Sequence, residues 1–199
     1  MTKIGVLAIQ GDFSLHRRAL ERVGAESSEV RRASELAGLD GIIIPGGEST
    51  TQHKLLTESE LGEALLAELR AGLPVWGTCA GAILLGYGDS RPQPRWRLID
   101  VEVARNAYGR QVDSFVVSIQ FKDSGADYPA VFIRAPRFAR IGAGVEVLAR
   151  RQDEPVAAAM RNVLITAFHP ELTADPRIHR YFLDQFCAPS GIRAARSAG

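Results

Sequence analysis

Three short stretches of this sequence hold residue types at spacings that can do chemistry. The first is VWGTCAGAILL, residues 75–85, which sets Cys79 between Gly77 and Gly81. A sharp strand-to-helix turn there would hold the thiol over a sheet edge, at the positive end of a helix that favours thiolate. A cysteine nucleophile also needs a base and a group that orients the base. HPE at 169–171 offers both, because residues i and i+2 of an extended chain point the same way and Pro170 keeps His169 extended. The third stretch is PGGEST at 45–50, where consecutive glycines uncover backbone N–H groups suited to a carboxylate or a developing oxyanion. It lacks the GxxxxGK[ST] pattern of a phosphate loop, and Glu48 would repel phosphate. Taken singly, Cys79 also reads as a packed cysteine between helix-packing glycines, and HPE as a turn.

The elements around these stretches must bring them to one edge. KIGVLAI at 3–9 reads as a buried strand, and residues 15–23 as an amphipathic helix stopped by Gly24. DGIIIPGG at 40–47 repeats the buried-strand signature, residues 59–72 read as a helix closed by Gly72, and the strand before Cys79 follows. This alternation predicts a parallel sheet covered on both faces, with all its strand C-termini on one side. From Asp89 the pattern changes: a loop over 89–96, then alternating strands over 98–105, 114–121 and 130–134, an antiparallel extension. Strands over 145–150, 155–160 and 163–168 follow, the last ending at His169. Asp175-Pro176 predicts the start of a final helix over 177–186. The expected fold is therefore α/β, a three-layer sandwich with a central mostly parallel sheet, helices on both faces and an antiparallel extension. Residues 1–187 are expected to form a single domain and 188–199 a flexible tail.

With 199 residues, 46% apolar and 24% charged, the composition is that of a globular domain. A net charge of +1 provides no field for nucleic acid. No apolar run approaches a membrane span, and no leader is apparent, so a cytoplasmic location is expected. Cys79 and Cys187 are too few for a disulfide scaffold, and Cys187 reads as a packing residue. Of the four histidines, His16 and His179 fall in amphipathic helices and His53 follows the glycine loop; these three read as surface or packing residues.

PGGEST at 45–50, GTCAG at 77–81 and HPE at 169–171, in this order, resemble the triad-type (class I) glutamine amidotransferases. RNAYGRQVDSF at 105–115 and FIRAP at 132–136 resemble one branch, the glutaminase subunits of the two-protein pyridoxal 5′-phosphate synthases. The resemblance runs from GVLAIQGD at 5–12 to FHPELT at 168–173. It implies that Cys79 attacks the amide of L-glutamine, with His169 as base and then acid and Glu171 orienting it. It further implies an oxyanion hole from the N–H groups of Gly47 and Ala80. Glutamine would be bound around Gly46, Gly47, Glu48, Ser49, Arg105, Ile133 and Arg134, with Arg105 suited to fork the α-carboxylate.

The same resemblance implies a partner, the synthase subunit, in a hetero-oligomer that makes pyridoxal 5′-phosphate from the released ammonia, and no cofactor or metal in this chain. Two positions depart from the family pattern: Ala82, where a larger aliphatic residue is common, and Arg95-Trp96-Arg97, where a more apolar segment is usual. Two alternatives stay open, a related cysteine hydrolase acting on another γ-glutamyl substrate and a non-catalytic partner-binding module.

Overall fold

The computed structural model describes residues 1–88, 96–105, 114–122 and 126–188. Short β-branched apolar runs, too short for helices, make the centre of its sheet. β1 (Lys3–Leu7), β3 (Gly41–Ile44), β4 (Val75–Thr78) and β11 (Val163–Thr166) lie side by side and parallel, with β2 (Glu26–Val30) parallel on the outer side of β1. Beyond β11 the sheet continues antiparallel through β10 (Glu154–Met160), β9 (Glu146–Arg151), β6 (Ser114–Phe121) and β7 (Tyr128–Ile133). A separate antiparallel pair is made by β5 (Val101–Ala104) and β8 (Arg137–Ile141).

The helices are α1 (Phe13–Arg22), α2 (Ser49–Thr57), α3 (Glu60–Ala71), α4 (Ala80–Leu85) and α5 (Arg177–Phe182). Two adjacent residues of β4 show that both sheet faces are covered. Trp76 packs against His16 of α1 and against His179 and Phe182 of α5, whereas Gly77 abuts Gly81 and Leu85 of α4. Successive strand residues point to opposite faces, so α1 and α5 form one outer layer and α4 belongs to the other. α2 packs on both α3 and α4. Trp76, Phe168, Phe182 and the Ile42–Ile44 run are wholly buried between these layers. Among the described residues, no helix is long and apolar enough to cross a membrane and no cluster of His, Cys, Asp or Glu is arranged to hold a metal ion.

The expected α/β sandwich with its antiparallel extension is what the chain forms, with local differences. β2 was not expected, because ESSEV is polar; as the sheet's outer strand only its last residue, Val30, is fully buried. β8 was likewise unexpected, since RFARI gives a weak alternation that pairing with β5 stabilises. α2 stands where only a loop was read, because Glu48 caps it by accepting from Thr50 N and Thr51 N at 3.0 and 2.7 Å. The final helix is shorter than expected: α5 ends at Phe182 and Leu183–Cys187 widen into a π-helical turn. Its first cap residue is Pro176, yet the Asp175 carboxylate still takes the Arg177 N–H at 3.0 Å. The expected loop at 89–95, most of RNAYGRQVDSF (106–113), Arg95 and the tail at 189–199 lie outside the described residues.

Candidate active site

β4 carries Cys79 to the C-terminal edge of the parallel strands, where its N–H still belongs to the sheet, donating to Thr166 O at 2.9 Å. The chain then enters α4 at once. That joint puts Cys79 at φ 48° and ψ −100°, a backbone costing on the order of 1–3 kcal/mol that persists only where its surroundings enforce it. The flanking glycines make the joint sterically possible. A Cβ at Gly77 would lie 2.6 Å from Gly81 C, and one at Gly81 would run into Ile44 O of β3. Ala80 is the first residue of α4, so its N–H has no partner within the helix.

β11 lies next to β4, so His169 emerges beside Cys79. Glu171 does meet His169, Nδ1 to Oε1 at 2.8 Å, but not by the extended geometry expected from spacing: Pro170 starts a single 3-10 turn, Pro170–Leu172, which swings the carboxylate back. Cys79, His169 and Glu171 are only 7%, 6% and 4% exposed. Burial opposes a charge on His169, but hydrogen bonds to Cys79 and Glu171 and their negative charges outweigh it and raise its pKa to about 10. Burial also works against ionisation of Glu171, and nearby His16 and His169 outweigh it, holding the carboxyl below its ordinary range. The arrangement suits an imidazolium held against a carboxylate, beside the Cys79 sulfur.

Facing the thiol is a pocket of about 410 Å³. Gly47, Glu48, Ser49, Ala80, Arg105, Ile133 and Arg134 all line it together with Cys79 and His169. Gly46 stands just behind, close enough that a Cβ there would lie 2.5 Å from His169 Cε1 and 3.4 Å from Cys79 Cβ. Arg134 is held at φ 42°, a second strained residue on the pocket wall, and Cys79 Sγ lies 4.0 Å from Ile133 O. Arg105 Nη2 sits 3.5 Å from Glu48 Oε1 at the mouth. Glu48 is ionised down to a pKa of about 2, because hydrogen bonds from Thr50 and Thr51 exceed the opposing effect of burial.

Gln10, Asp12, Ile83 and Gln52 were not nominated from sequence. The first three line the pocket. Gln10 Oε1 accepts from Glu48 N at 2.8 Å, so the turn after β1 braces the glycine loop, and Gly47, at φ 151°, leaves room for that amide. Gln52, only 1% exposed, reaches back from α2: its Nε2 donates to Pro45 O at 3.0 Å and Gln10 O at 3.2 Å and lies 3.5 Å from Gly46 O. GVLAIQGD was visible as a motif and could have pointed to Gln10; nothing in STTQHKLLT marks Gln52.

A strained cysteine joint on a three-layer α/β sandwich, with an imidazole–carboxylate pair at the next strand end, is the equipment of a cysteine-dependent hydrolase or amidotransferase. A solved glutamine amidotransferase superposes with a TM-score of 0.85 at 49% identity, over 90% of this chain and 96% of that one. A chain of PurLQS from Thermotoga maritima, at 17% identity and a TM-score of 0.70 over 92% of this chain and 97% of that one, shares the fold. Residues 6–188 match the SNO glutamine amidotransferase family. The chain is 51% identical over 187 residues to the pyridoxal 5′-phosphate synthase subunit PdxT of Carboxydothermus hydrogenoformans, covering 93% of this chain and 98% of that protein. It is 52% identical over 201 residues to the protein of that name from Parafrankia sp., with 98% of each covered. The chain belongs to the SNO glutamine amidotransferase family, and is a glutaminase.

Proposed function

We propose that this chain hydrolyses L-glutamine to L-glutamate and ammonia through Cys79, His169 and Glu171, and that the ammonia passes to the synthase subunit of a pyridoxal 5′-phosphate synthase. The observation that carries the reading is Cys79 at its strained joint beside His169 and the 2.8 Å His169–Glu171 pair, in a pocket shared with Arg105 and Glu48. The Cys79 thiolate attacks the side-chain amide carbon of glutamine. The oxygen that takes up the charge is met by the N–H groups of Gly47 and Ala80. His169, which as base has taken the proton of the thiol, now acts as acid and gives it to the departing nitrogen, and ammonia leaves a γ-glutamyl thioester on Cys79. Water then loses a proton to His169 as it attacks the thioester, glutamate leaves, and the thiolate–imidazolium pair is restored.

Arg105 and Glu48 hold the amino-acid end of glutamine. The α-carboxylate competes with Glu48 for the guanidinium, and Glu48, an anion at every relevant pH, suits the α-ammonium. The names of the PdxT relatives, each a subunit of a pyridoxal 5′-phosphate synthase, support a synthase partner. We read the assembly as a hetero-oligomer in the cytoplasm, with residues 1–187 of this chain acting as one domain. Ammonia release from glutamine, measured with the synthase partner and without it, tests the reading. No release in the presence of the partner would overturn it.

A further inference from the structure

One buried pair of side chains takes no part in these steps. His16 of α1 and His179 of α5, both 0% exposed, lie in line behind the carboxylate of Glu171, their rings tilted 53° to each other. His16 Nε2 is 3.3 Å from Glu171 Oε2, and His16 Nδ1 is 3.0 Å from His179 Nε2. Thr78 Oγ1 lies 3.4 Å from His16 Nε2. Trp76 meets both rings edge-on, with centroids 5.7 Å from His16 and 4.9 Å from His179, and its own Nε1 is fixed on Thr166 Oγ1 at 3.2 Å. The rings are therefore wedged.

The contacts decide where the protons sit. His179 Nδ1 is buried with no hydrogen-bond partner among the described residues. An unpaired buried N–H is rarer than an unpaired lone pair, so the His179 proton is on Nε2, aimed at His16 Nδ1. His16 Nδ1 is then an acceptor, and the His16 proton is on Nε2, against Glu171. The reverse assignment would leave an orphan N–H on His179 and turn a lone pair of His16 toward a carboxylate. Burial favours the neutral form of both rings: it lowers His16 despite the pull of Glu171 and Asp12, and lowers His179 with the help of His16 and Arg22. At 3.3 Å the His16–Glu171 contact is a charge–dipole contact more than an aligned hydrogen bond, and Glu171 Oε2 has no hydrogen bond of its own among the described residues.

We infer that His16, locked in one tautomer by His179, is a positioning residue that holds the second oxygen of Glu171 and keeps that carboxylate ionised while His169 is without its proton. The inference rests on the proposed glutaminase reaction, in which His169 gives up its proton when ammonia leaves. At that moment Glu171 loses its cationic neighbour in a buried setting, and the N–H dipole of His16 behind it is what remains to oppose protonation. The titratable groups facing the chain of contacts are Cys79 and His169 in front, Tyr128 of β7 beside Glu171, and Asp12 and Arg22 at the two ends of α1.

Three variants test it, assayed for glutamine hydrolysis with the synthase partner saturating, across the acid limb of the pH profile. His16→Leu, which removes the donor, is expected to lower kcat about tenfold to a hundredfold with little change in KM, and to move the acid limb to higher pH. His16→Gln, which keeps an N–H at the same place, is expected to recover most of the rate and the wild-type limb. His179→Leu, which frees the tautomer, should give a smaller loss in the same direction. The carboxyl carbon of Glu171, followed by NMR in the chain alone, should titrate at higher pH in His16→Leu than in wild type. A folded His16→Leu with wild-type kcat and acid limb would overturn the inference; if that variant does not fold, an unchanged limb in His179→Leu does so. Wild type that releases no ammonia would overturn the proposed function instead, and the Glu171 titration would still decide this one.

Discussion

The two walls of the pocket are built on opposite plans. On the β4–β11 side every charged group is buried, each is matched by a side chain fixed in the core, and the backbone is strained at Cys79. On the side of residues 46–51, Glu48 is half exposed, its partners are the N–H groups of its own helix, and its link to Arg105 is a 3.5 Å surface pair. A buried charge cannot drift from its partner without a large desolvation cost, whereas an exposed pair can exchange partners at little cost. The contrast assigns fixed chemistry to one wall and adjustable recognition to the other.

The largest expected effect breaks the buried wall. Cys79→Ala should lower ammonia release by more than about 10³-fold with folding intact, since one small buried side chain replaces another. Cys79→Ser should be nearly as poor, as a neutral hydroxyl lacks the thiolate population. More than a few per cent of wild-type activity in Cys79→Ala with saturating partner would reject the assignment of Cys79. Next, His169→Asn should be close to inactive, while Glu171→Gln should stay partly active, about tenfold to a hundredfold slower, because orienting the proton carrier contributes less than being it.

The adjustable wall predicts control. Two glycines let the 46–47 peptide turn its N–H toward or away from the oxyanion position, and misaiming one such donor costs about a hundredfold or more. Titrating ammonia release against the synthase partner, with glutamine saturating, should therefore show a rise of about tenfold or more, through preferential binding to the competent loop state. A flat titration would remove the contrast between the walls. Glu48→Gln should act more gently, raising KM several-fold with a smaller effect on kcat, as expected of a binding group.

The smallest effect is on stability. The folded chain keeps the His169 proton up to about 10, against an ordinary histidine value of 6.5. Between those values the folded state binds more protons than the unfolded one. The contribution is thus complete below the lower value, declines as pH rises, and is lost above the upper. Urea midpoints should fall from neutral toward alkaline pH, and His169→Asn should flatten that fall.

GTCAG, PGGEST and HPE were legible because each is a glycine or proline device tied to a strand end, and such devices dictate local backbone whatever surrounds them. The central strands were legible for the same reason that they are central: burial on both faces leaves uninterrupted apolar runs. β2 was not, since an outer strand of polar residues owes its form to pairing with β1. His16 and Gln52 were missed because their roles depend on neighbours far along the chain, 155 residues away for the His16 contact with Glu171 and 42 for that of Gln52 with Gln10 O. His16 and His179 are indeed packing residues, as their helical setting suggested, but what they pack against is the carboxylate of the proposed triad.

Trp76 has a consequence for observation. Of the two tryptophans in the sequence, Trp76 is fully enclosed and Trp96 only partly buried. The emission of Trp76 should accordingly lie to the blue, and an imidazolium is a strong quencher of indole fluorescence. With His16 and His179 neutral, Trp76 is expected to escape that quenching. Acidification that charges either ring in the folded chain would dim it, so Trp76 can serve as an optical gauge of the protonation state behind the active site.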